Sequence, residues 1–103
     1  MKMEKKIDIG EVYKTVGIQS YMAASMINEE NPSFSEEVTA CLRRHEAGDW
    51  GDLCEEDKKM NDEDAANGYG VLSMYITSIG KIYIKTDIYE DGPVTTVLLP
   101  EEY

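Results

Sequence analysis

Alternating apolar and polar residues predict a run of β-strands in the last third of the chain. In residues 72–77 and 81–87 the two kinds of side chain alternate, as they do in a strand with one buried face. The residues between these runs, 78–80, are typical of a hairpin turn. A third run at 94–99 follows an Asp-Gly-Pro turn at 91–93. The pattern therefore predicts a three-stranded antiparallel meander.

Helical spacing dominates the first half of the chain, after one predicted strand at residues 7–15. Residues 18–27 fit a short helix. A second helix is predicted to follow Ser33, which begins a Ser-x-x-Glu capping box. Residues 52–67 are helical in composition, and Asn61 can cap a second piece of that helix. The second helix has one apolar stripe, with members spaced for a single face: Phe34, Val38, Cys41, Leu42 and His45.

These elements predict one α+β domain that spans residues 1–103. A chain of this length is enough for a single hydrophobic core. The expected sheet is antiparallel and combines the C-terminal meander with the N-terminal strand. A small sheet with one apolar face is incomplete until helices cover it, so two to three helices are expected on that face.

The stretch 43–57 contains the only tryptophan, the only histidine and both arginines of the chain. Gly48 can end the second helix in the left-handed conformation, and Gly51 allows another unusual backbone angle. Asp52 can cap the next helix, with a glutamate three residues further on. Trp50 lies between the two glycines. It is interpreted as a plug between two helices, and the alternative is an exposed hot spot for a partner.

Four titratable residues of this stretch are expected to serve the fold: His45, Asp57, Arg43 and Arg44. The histidine and the arginines lie in the last turn of the second helix, where positive charge balances the helix dipole. Asp57 shares a helical face with Leu53 and Met60, so it is expected to point toward the core. A half-buried carboxylate needs partners, and one of the two arginines or a nearby amide is the expected one.

The net charge of the chain limits the kinds of molecule that it can bind. The chain has 21 acidic and 10 basic residues, with a net charge of -11. Nucleic-acid binding is disfavoured because phosphate contacts need a basic face, whereas a basic protein partner is compatible with this charge. The alternative is that the charge only maintains solubility. The sequence has no apolar run of membrane-spanning length, no signal-peptide pattern at its start and no Cys-x-x-Cys pair, so a cytoplasmic protein with reduced thiols is expected.

Acidic residues are concentrated between positions 46 and 67, where nine acids stand against two lysines. Carboxylates three or four residues apart on a helix lie about 5–6 Å from each other. Such rows can meet the lysine and arginine rows that normally hold phosphates, which is the physical case for a nucleic-acid mimic. The alternative is an acidic face that is merely solvated. The candidate partner-binding residues are Asp49, Trp50, Asp52, Glu55, Glu56, Asp62, Glu63 and Asp64.

The enzymatic interpretation has less support. His45 is the only histidine, no EF-hand or His-x-x-x-His motif is present, and no cofactor motif is found. Ser73, Thr95 and Thr96 have no neighbouring base in the sequence, and strand hydroxyls are commonly structural. No catalytic residue, metal or cofactor is therefore assigned.

Several strings of this sequence resemble a set of small proteins from phages, plasmids and integrated elements. They are Arg44-His45, the Gly-Asp-Trp-Gly-Asp-Leu at 48–53, Asp57-Lys58, Asn61-Asp62, Leu72-Ser73-x-Tyr75, Lys81-Ile82-x-Ile84 and the ending at 95–103. The resemblance covers nearly the whole chain from Gly10 onward. In size and charge the chain is similar to the anti-CRISPR and anti-restriction inhibitors that such elements encode.

The resemblance implies a non-catalytic inhibitor in the cytoplasm of a bacterial host, most specifically an anti-CRISPR protein. Its target would be an RNA-guided nuclease, which holds its heteroduplex in a positively charged channel. The sequence departs from the family pattern at Gly70-Val71, Tyr83 and 91–94. At the first and the last of these places the family tends to have an arginine that this chain lacks, which makes the chain more acidic than the pattern. The alternative function is a small binding module of unknown ligand, and a small enzyme is the remaining one.

Overall fold

The computed structural model describes residues 5–28 and 33–103 and contains four strands, three α-helices and a short C-terminal 3₁₀ turn. The α+β class is confirmed. In chain order the elements are β1 (Glu11–Lys14), α1 (Val16–Asn28), α2 (Phe34–Glu46), α3 (Glu55–Ala66), β2 (Val71–Thr77), β3 (Gly80–Tyr89), β4 (Gly92–Leu98) and the 3₁₀ turn (Pro100–Glu102).

The four strands form one mixed sheet in the order β1-β4-β3-β2. The antiparallel meander of β2, β3 and β4 is confirmed. The expectation that β1 joins it in an antiparallel sense is wrong, because β1 runs parallel to β4, with Glu11 opposite Val94 and Lys14 opposite Val97. The alternation of side chains identifies a strand but does not show whether it pairs with its neighbour in a parallel or an antiparallel sense. The long connection between β1 and β4 permits parallel pairing.

The core lies between one face of the sheet and two helices. Tyr75, Ile82, Ile84 and Val97 point inward from the sheet and are fully buried, and Ile18 of α1 packs against them. The predicted stripe of α2 is confirmed: four of its five residues are buried and the fifth, Leu42, packs against the core from a partly buried position.

Helix α3 lies beside the outer edge of β2. It is one continuous helix, so the predicted break at Asn61 is wrong. Asn61 is instead the one buried residue of α3, and its side-chain amide hydrogen-bonds to both backbone groups of Leu72. Of the two to three helices expected on the inner face, α1 and α2 are found there. No helix in the described part of the chain combines the length and the apolar content needed to cross a membrane.

Candidate functional site

The turn after α2 ends the helix as the sequence predicts. Gly48 has a φ of 81°, and its N–H donates to the carbonyl of His45 at 3.1 Å. The next N–H, from Asp49, donates to the carbonyl of Arg44 at 2.8 Å. These two bonds form a Schellman motif, which satisfies the last carbonyls of the helix.

Beyond this turn the chain runs along β2 as a short parallel bridge. The Trp50 carbonyl accepts from the N–H of Met74 at 3.3 Å, and the Asp52 N–H donates to the carbonyl of Met74 at 2.7 Å. The Asp52 carboxylate accepts from the N–H of Ile76 at 3.3 Å. Together with Asn61 these contacts occupy backbone groups that an edge strand would otherwise leave free.

Asp52 therefore does not cap the next helix, which was the prediction. Helix α3 begins at Glu55, and the residue in the N-cap position is Cys54, two residues after Asp52. The side chain of Asp52 is used at the strand edge instead. The capping-box spacing is present in the sequence, but the pairing of this segment with β2 fixes the backbone before the helix begins.

Trp50 is 3% exposed, so its ring offers no surface to a partner. Its indole N–H donates to a carboxylate oxygen of Asp62 at 2.9 Å, and the ring meets His45 edge to face with 5.7 Å between centroids. Trp50 therefore lies between α2 and α3, as the first interpretation predicts, and the alternative of an exposed hot spot is wrong. Asp62 remains exposed but also holds this internal contact.

Asp49 is tied to the fold through an arginine. Arg44 donates to both carboxylate oxygens of Asp49, at 2.8 and 3.2 Å, and its guanidinium lies 4.7 Å from the centre of the Tyr75 ring. The hydrogen bond from Arg44 holds the pKa of the Asp49 carboxyl below its usual value. A bidentate pair of this kind also adds geometric specificity. Asp49 is thus a structural residue more than a free surface charge.

Asp57 does not have the role expected of it. It is exposed, and within the described residues no ion pair joins it to Arg43 or Arg44. The prediction assumed a face shared with Leu53 and Met60. Leu53 precedes the helix and Met60 is 59% exposed, so the side of α3 that faces the sheet is a different one.

His45 is fully buried in a chain of hydrogen bonds. Its Nδ1 lies 2.5 Å from Ser73 Oγ and its Nε2 lies 2.8 Å from Thr86 Oγ1. Thr86 Oγ1 is 2.6 Å from Thr95 Oγ1, which donates to the carbonyl of Ile9 at 2.7 Å. Because a carbonyl only accepts, Thr95 donates to it and Thr86 donates to Thr95. His45 then donates through Nε2 and accepts the Ser73 proton at Nδ1.

Burial lowers the pKa of His45 to about 4, so the ring is neutral at neutral pH. The expectation that His45 adds positive charge to the end of α2 is therefore wrong. Sequence spacing also gave no base near Ser73, yet the fold places His45 beside it. Both side chains are fully buried, so no substrate reaches the serine in this arrangement.

The acids of α3 are arranged in three rows. Each acid of the first turn has a second acid seven residues later, which is two turns or about 10.5 Å along the axis. The row that points most directly away from Asn61 contains Glu56 and Glu63. The flanking rows are Glu55 with Asp62 and Asp57 with Asp64.

Most of these carboxylates have no role in the fold that the structure describes. Glu55 is 3.6 Å from the amine of Lys58, and its own side chain is 92% exposed. For Glu56, Asp57, Glu63 and Asp64, no side-chain hydrogen bond or ion pair occurs among the described residues. Of the eight predicted partner-binding residues, four make contacts that hold the fold. They are Asp49, Trp50, Asp52 and Asp62.

Among the described residues, no group of three or more His, Cys, Asp or Glu is arranged to hold a metal ion. Comparison of the chain with known protein families, with curated proteins and with solved structures finds no match. The candidate site is an acidic helix attached to the edge of a sheet.

Proposed function

We propose that this protein is a non-catalytic inhibitor that places the acidic surface of α3 in the cationic nucleic-acid channel of a defence nuclease. An RNA-guided nuclease is the most specific target, which makes the protein an anti-CRISPR inhibitor from a mobile genetic element. Such an enzyme holds its heteroduplex in a positively charged channel through the backbone rather than the sequence. A row of fixed carboxylates can engage the same channel.

The observation that carries the proposal is the position of the acids near the C-terminal end of α3. Asp62, Glu63 and Asp64 precede the end of the helix at Ala66, and no basic residue lies in its last turn. Negative charge is unfavourable there because the helix dipole is itself negative at that end. Asp62 is explained in part by its contact with the indole of Trp50. Glu63 and Asp64 oppose the dipole and have no side-chain contact in the described fold, so they are better explained as a surface for a positively charged partner.

The spacing of the rows supports the same conclusion. Two carboxylates about 10.5 Å apart along a helix axis form a regular row of negative charge on a rigid element. The row that faces outward, Glu56 and Glu63, can therefore approach cationic side chains that line a nucleic-acid channel. Lys59 and Met60 lie between the rows and leave the three rows separate.

The test is nuclease cleavage in the presence of matched triple variants. One variant carries Glu56→Gln, Glu63→Gln and Asp64→Asn on α3. The control carries Glu90→Gln, Asp91→Asn and Glu101→Gln at exposed positions outside α3. Both remove three negative charges, so they differ only in where the charge is lost. We expect the α3 variant to lose inhibition and the control to keep it, and we expect wild-type inhibition to weaken with added salt.

Equal loss of inhibition in the two variants would contradict the proposal, because total charge would then explain the effect. Full inhibition by both variants would also contradict it, because the α3 carboxylates would then not be needed. Inhibition by neither variant nor wild type, across the nucleases recovered from the host by pull-down, would favour the alternative of a binding module with a solvated acidic face. Circular dichroism of both variants establishes that the fold is unchanged.

A further inference from the structure

Helix α3 is held to the rest of the molecule by few contacts. Asn61 is the one buried residue among its twelve, so the helix has no buried apolar face against the sheet. Within the described chain, two of its side chains hydrogen-bond to other elements: Asn61 to the backbone of Leu72, and Asp62 to the indole of Trp50. Most helices in proteins depend on such an apolar face for their stability. The attachment of α3 therefore depends on two polar contacts.

Two clefts separate the C-terminal half of α3 from the sheet. The cleft on the inner side has a volume of about 230 Å³ and is lined by Ala65, Tyr69 and Ile88 among others. The cleft on the outer side has a volume of about 330 Å³ and lies between Asp64 and Lys85. Atoms that line a void lack the dispersion contacts that a packed interface would supply. This half of the helix is therefore underpacked on both sides.

The sequence of α3 gives the helix little stability of its own. Isolated helices shorter than about 12–15 residues are marginal in water, and α3 has twelve. Its N-cap residue, Cys54, makes no side-chain capping hydrogen bond. Glu63 and Asp64 oppose the helix dipole, and the last turn has no basic residue. If α3 leaves the sheet, it is therefore expected to unfold.

We propose that α3 is a flap, formed by Glu55–Ala66, that opens by leaving the sheet and unfolding as one unit while the rest of the fold stays intact. Gly68 follows the flap with a φ of +77°, and a Cβ placed there would meet nothing within 4 Å, so the chain has room to move at this point. Opening releases the backbone groups of Leu72 and the indole N–H of Trp50 from their partners.

Opening also determines when the acidic surface is present. The carboxylate rows have fixed positions only while the α3 flap is closed. In this respect the flap regulates the proposed inhibitor, and that consequence rests on the proposed function, whereas the opening itself does not. A positively charged partner beside Glu63 would relieve its conflict with the dipole, so binding and closure would favour each other.

The dipole of α3 provides a matched pair of substitutions. Glu56 and Glu63 are the same residue type, lie in the same outward row and make no side-chain contact in the described fold. They differ in position, since Glu56 is in the first turn and Glu63 lies near the C-terminal end. A negative charge favours the closed flap at the first position and disfavours it at the second. Removing the two charges therefore has opposite effects on opening.

The experiment is native-state hydrogen exchange of the full chain, followed residue by residue by NMR at several low urea concentrations. The hydrogen-bonded amides of α3 are expected to share one opening equilibrium, more favourable than that of α2 and nearly independent of urea, because opening exposes little surface. Leu72 gives a second readout because its amide donates to Asn61, so it should exchange with the flap. The amide of Ser73 points the opposite way, toward β3, and should exchange with the core.

Three variants test the cause of the opening. Glu63→Gln is expected to lower the opening equilibrium constant of the α3 amides about two- to fivefold, and Glu56→Gln to raise it by a similar factor. Asn61→Ala should raise it about fivefold or more, because the flap then loses one of its two polar attachments.

Exchange of the α3 amides with the same opening free energy and the same urea dependence as α2 would overturn the proposal, because the helix would then open only when the whole chain unfolds. Shifts of the same sign in Glu56→Gln and Glu63→Gln would also overturn it, because opening would then follow the total charge. The measurement uses the chain alone. A flap that does not open would therefore leave the inhibitor proposal to its cleavage assay, and absence of inhibition would leave the exchange result unchanged.

Discussion

Acid should destabilise this fold through His45. The ring is neutral in the folded chain, with a pKa lowered to about 4 by burial, whereas an exposed histidine titrates near 6.5. Above pH 6.5 neither state binds a proton at this residue, and its contribution is constant. As the pH falls from 6.5 toward 4, the unfolded chain takes up a proton that the folded chain does not, and stability is lost.

The magnitude follows from the separation of the two pKa values. A difference of about 2.5 units corresponds to a maximum loss of about 3 kcal/mol, of which about 2 kcal/mol is already lost at pH 5. This is a large part of the total stability of a small domain. The hydrogen bonds act in the same direction. Protonation at Nδ1 would place two donors against each other unless the Ser73 hydroxyl rotates away.

The assay is urea unfolding followed by the fluorescence of Trp50, the only tryptophan, at intervals from pH 8 to pH 4. The comparison is wild type against His45→Gln. The variant is expected to be less stable at pH 8 and to lack the loss of about 2 kcal/mol between pH 8 and pH 5. The repulsion among the other charged groups changes with pH in the same way in both proteins, so it cancels when their unfolding free energies are subtracted. Parallel pH profiles for the two chains would refute the reasoning.

Three further substitutions test the contacts around the sheet edge and the C-terminal turn. Asn61→Ala leaves two backbone groups of β2 without their partner and should cost about 1–3 kcal/mol in urea unfolding. Asn67→Ala removes one exposed hydrogen bond, to the carbonyl of Glu63, and should cost less, about 0.5–1 kcal/mol. Gly51→Ala and Gly68→Ala both meet a φ of +77°, but only at Gly51 would the new Cβ come within 2.0 Å of a β2 carbonyl. Gly51→Ala should therefore be about 1–3 kcal/mol more destabilising than Gly68→Ala, and equal costs would show that β2 moves aside. Glu102→Gln should lower the midpoint of thermal unfolding more than the same change at the preceding glutamate, because the carboxylate of Glu102 accepts from Thr15 and from the start of α1.

The sequence predicts the parts of the fold that depend on local periodicity. The α2 stripe and the β2–β3 hairpin follow directly from spacings of 3.6 and 2 residues. The direction of β1 is set by a distant strand and leaves no local signal. The pairing of Trp50 and Asp52 with β2 is equally long-range, and it decides where α3 begins and which of its sides faces the sheet. The error at Asp57 follows from that boundary.

The candidate site was predicted only in part for a related reason. Composition identifies an acidic segment but does not distinguish acids that hold the fold from acids that are free. Asp49 is held by Arg44, and Asp62 by the indole of Trp50. Other residues of the same segment are held in the same way, such as Arg44 by Asp49 and Asn61 by Leu72. Much of the segment that the sequence marks out therefore serves the fold rather than a binding surface.

The attachment of α3 has a consequence for how this protein can change. Only Asn61 of its twelve residues is buried, and Asp62 alone among the others holds a core side chain, the indole of Trp50, so most of the helix can be substituted with little effect on the core. Variants selected against a new target would accumulate substitutions on this helix while Asn61 stays constant. For the same reason α3 is a suitable place to graft a foreign recognition helix, provided that the asparagine and the carboxylate that receives the indole are retained.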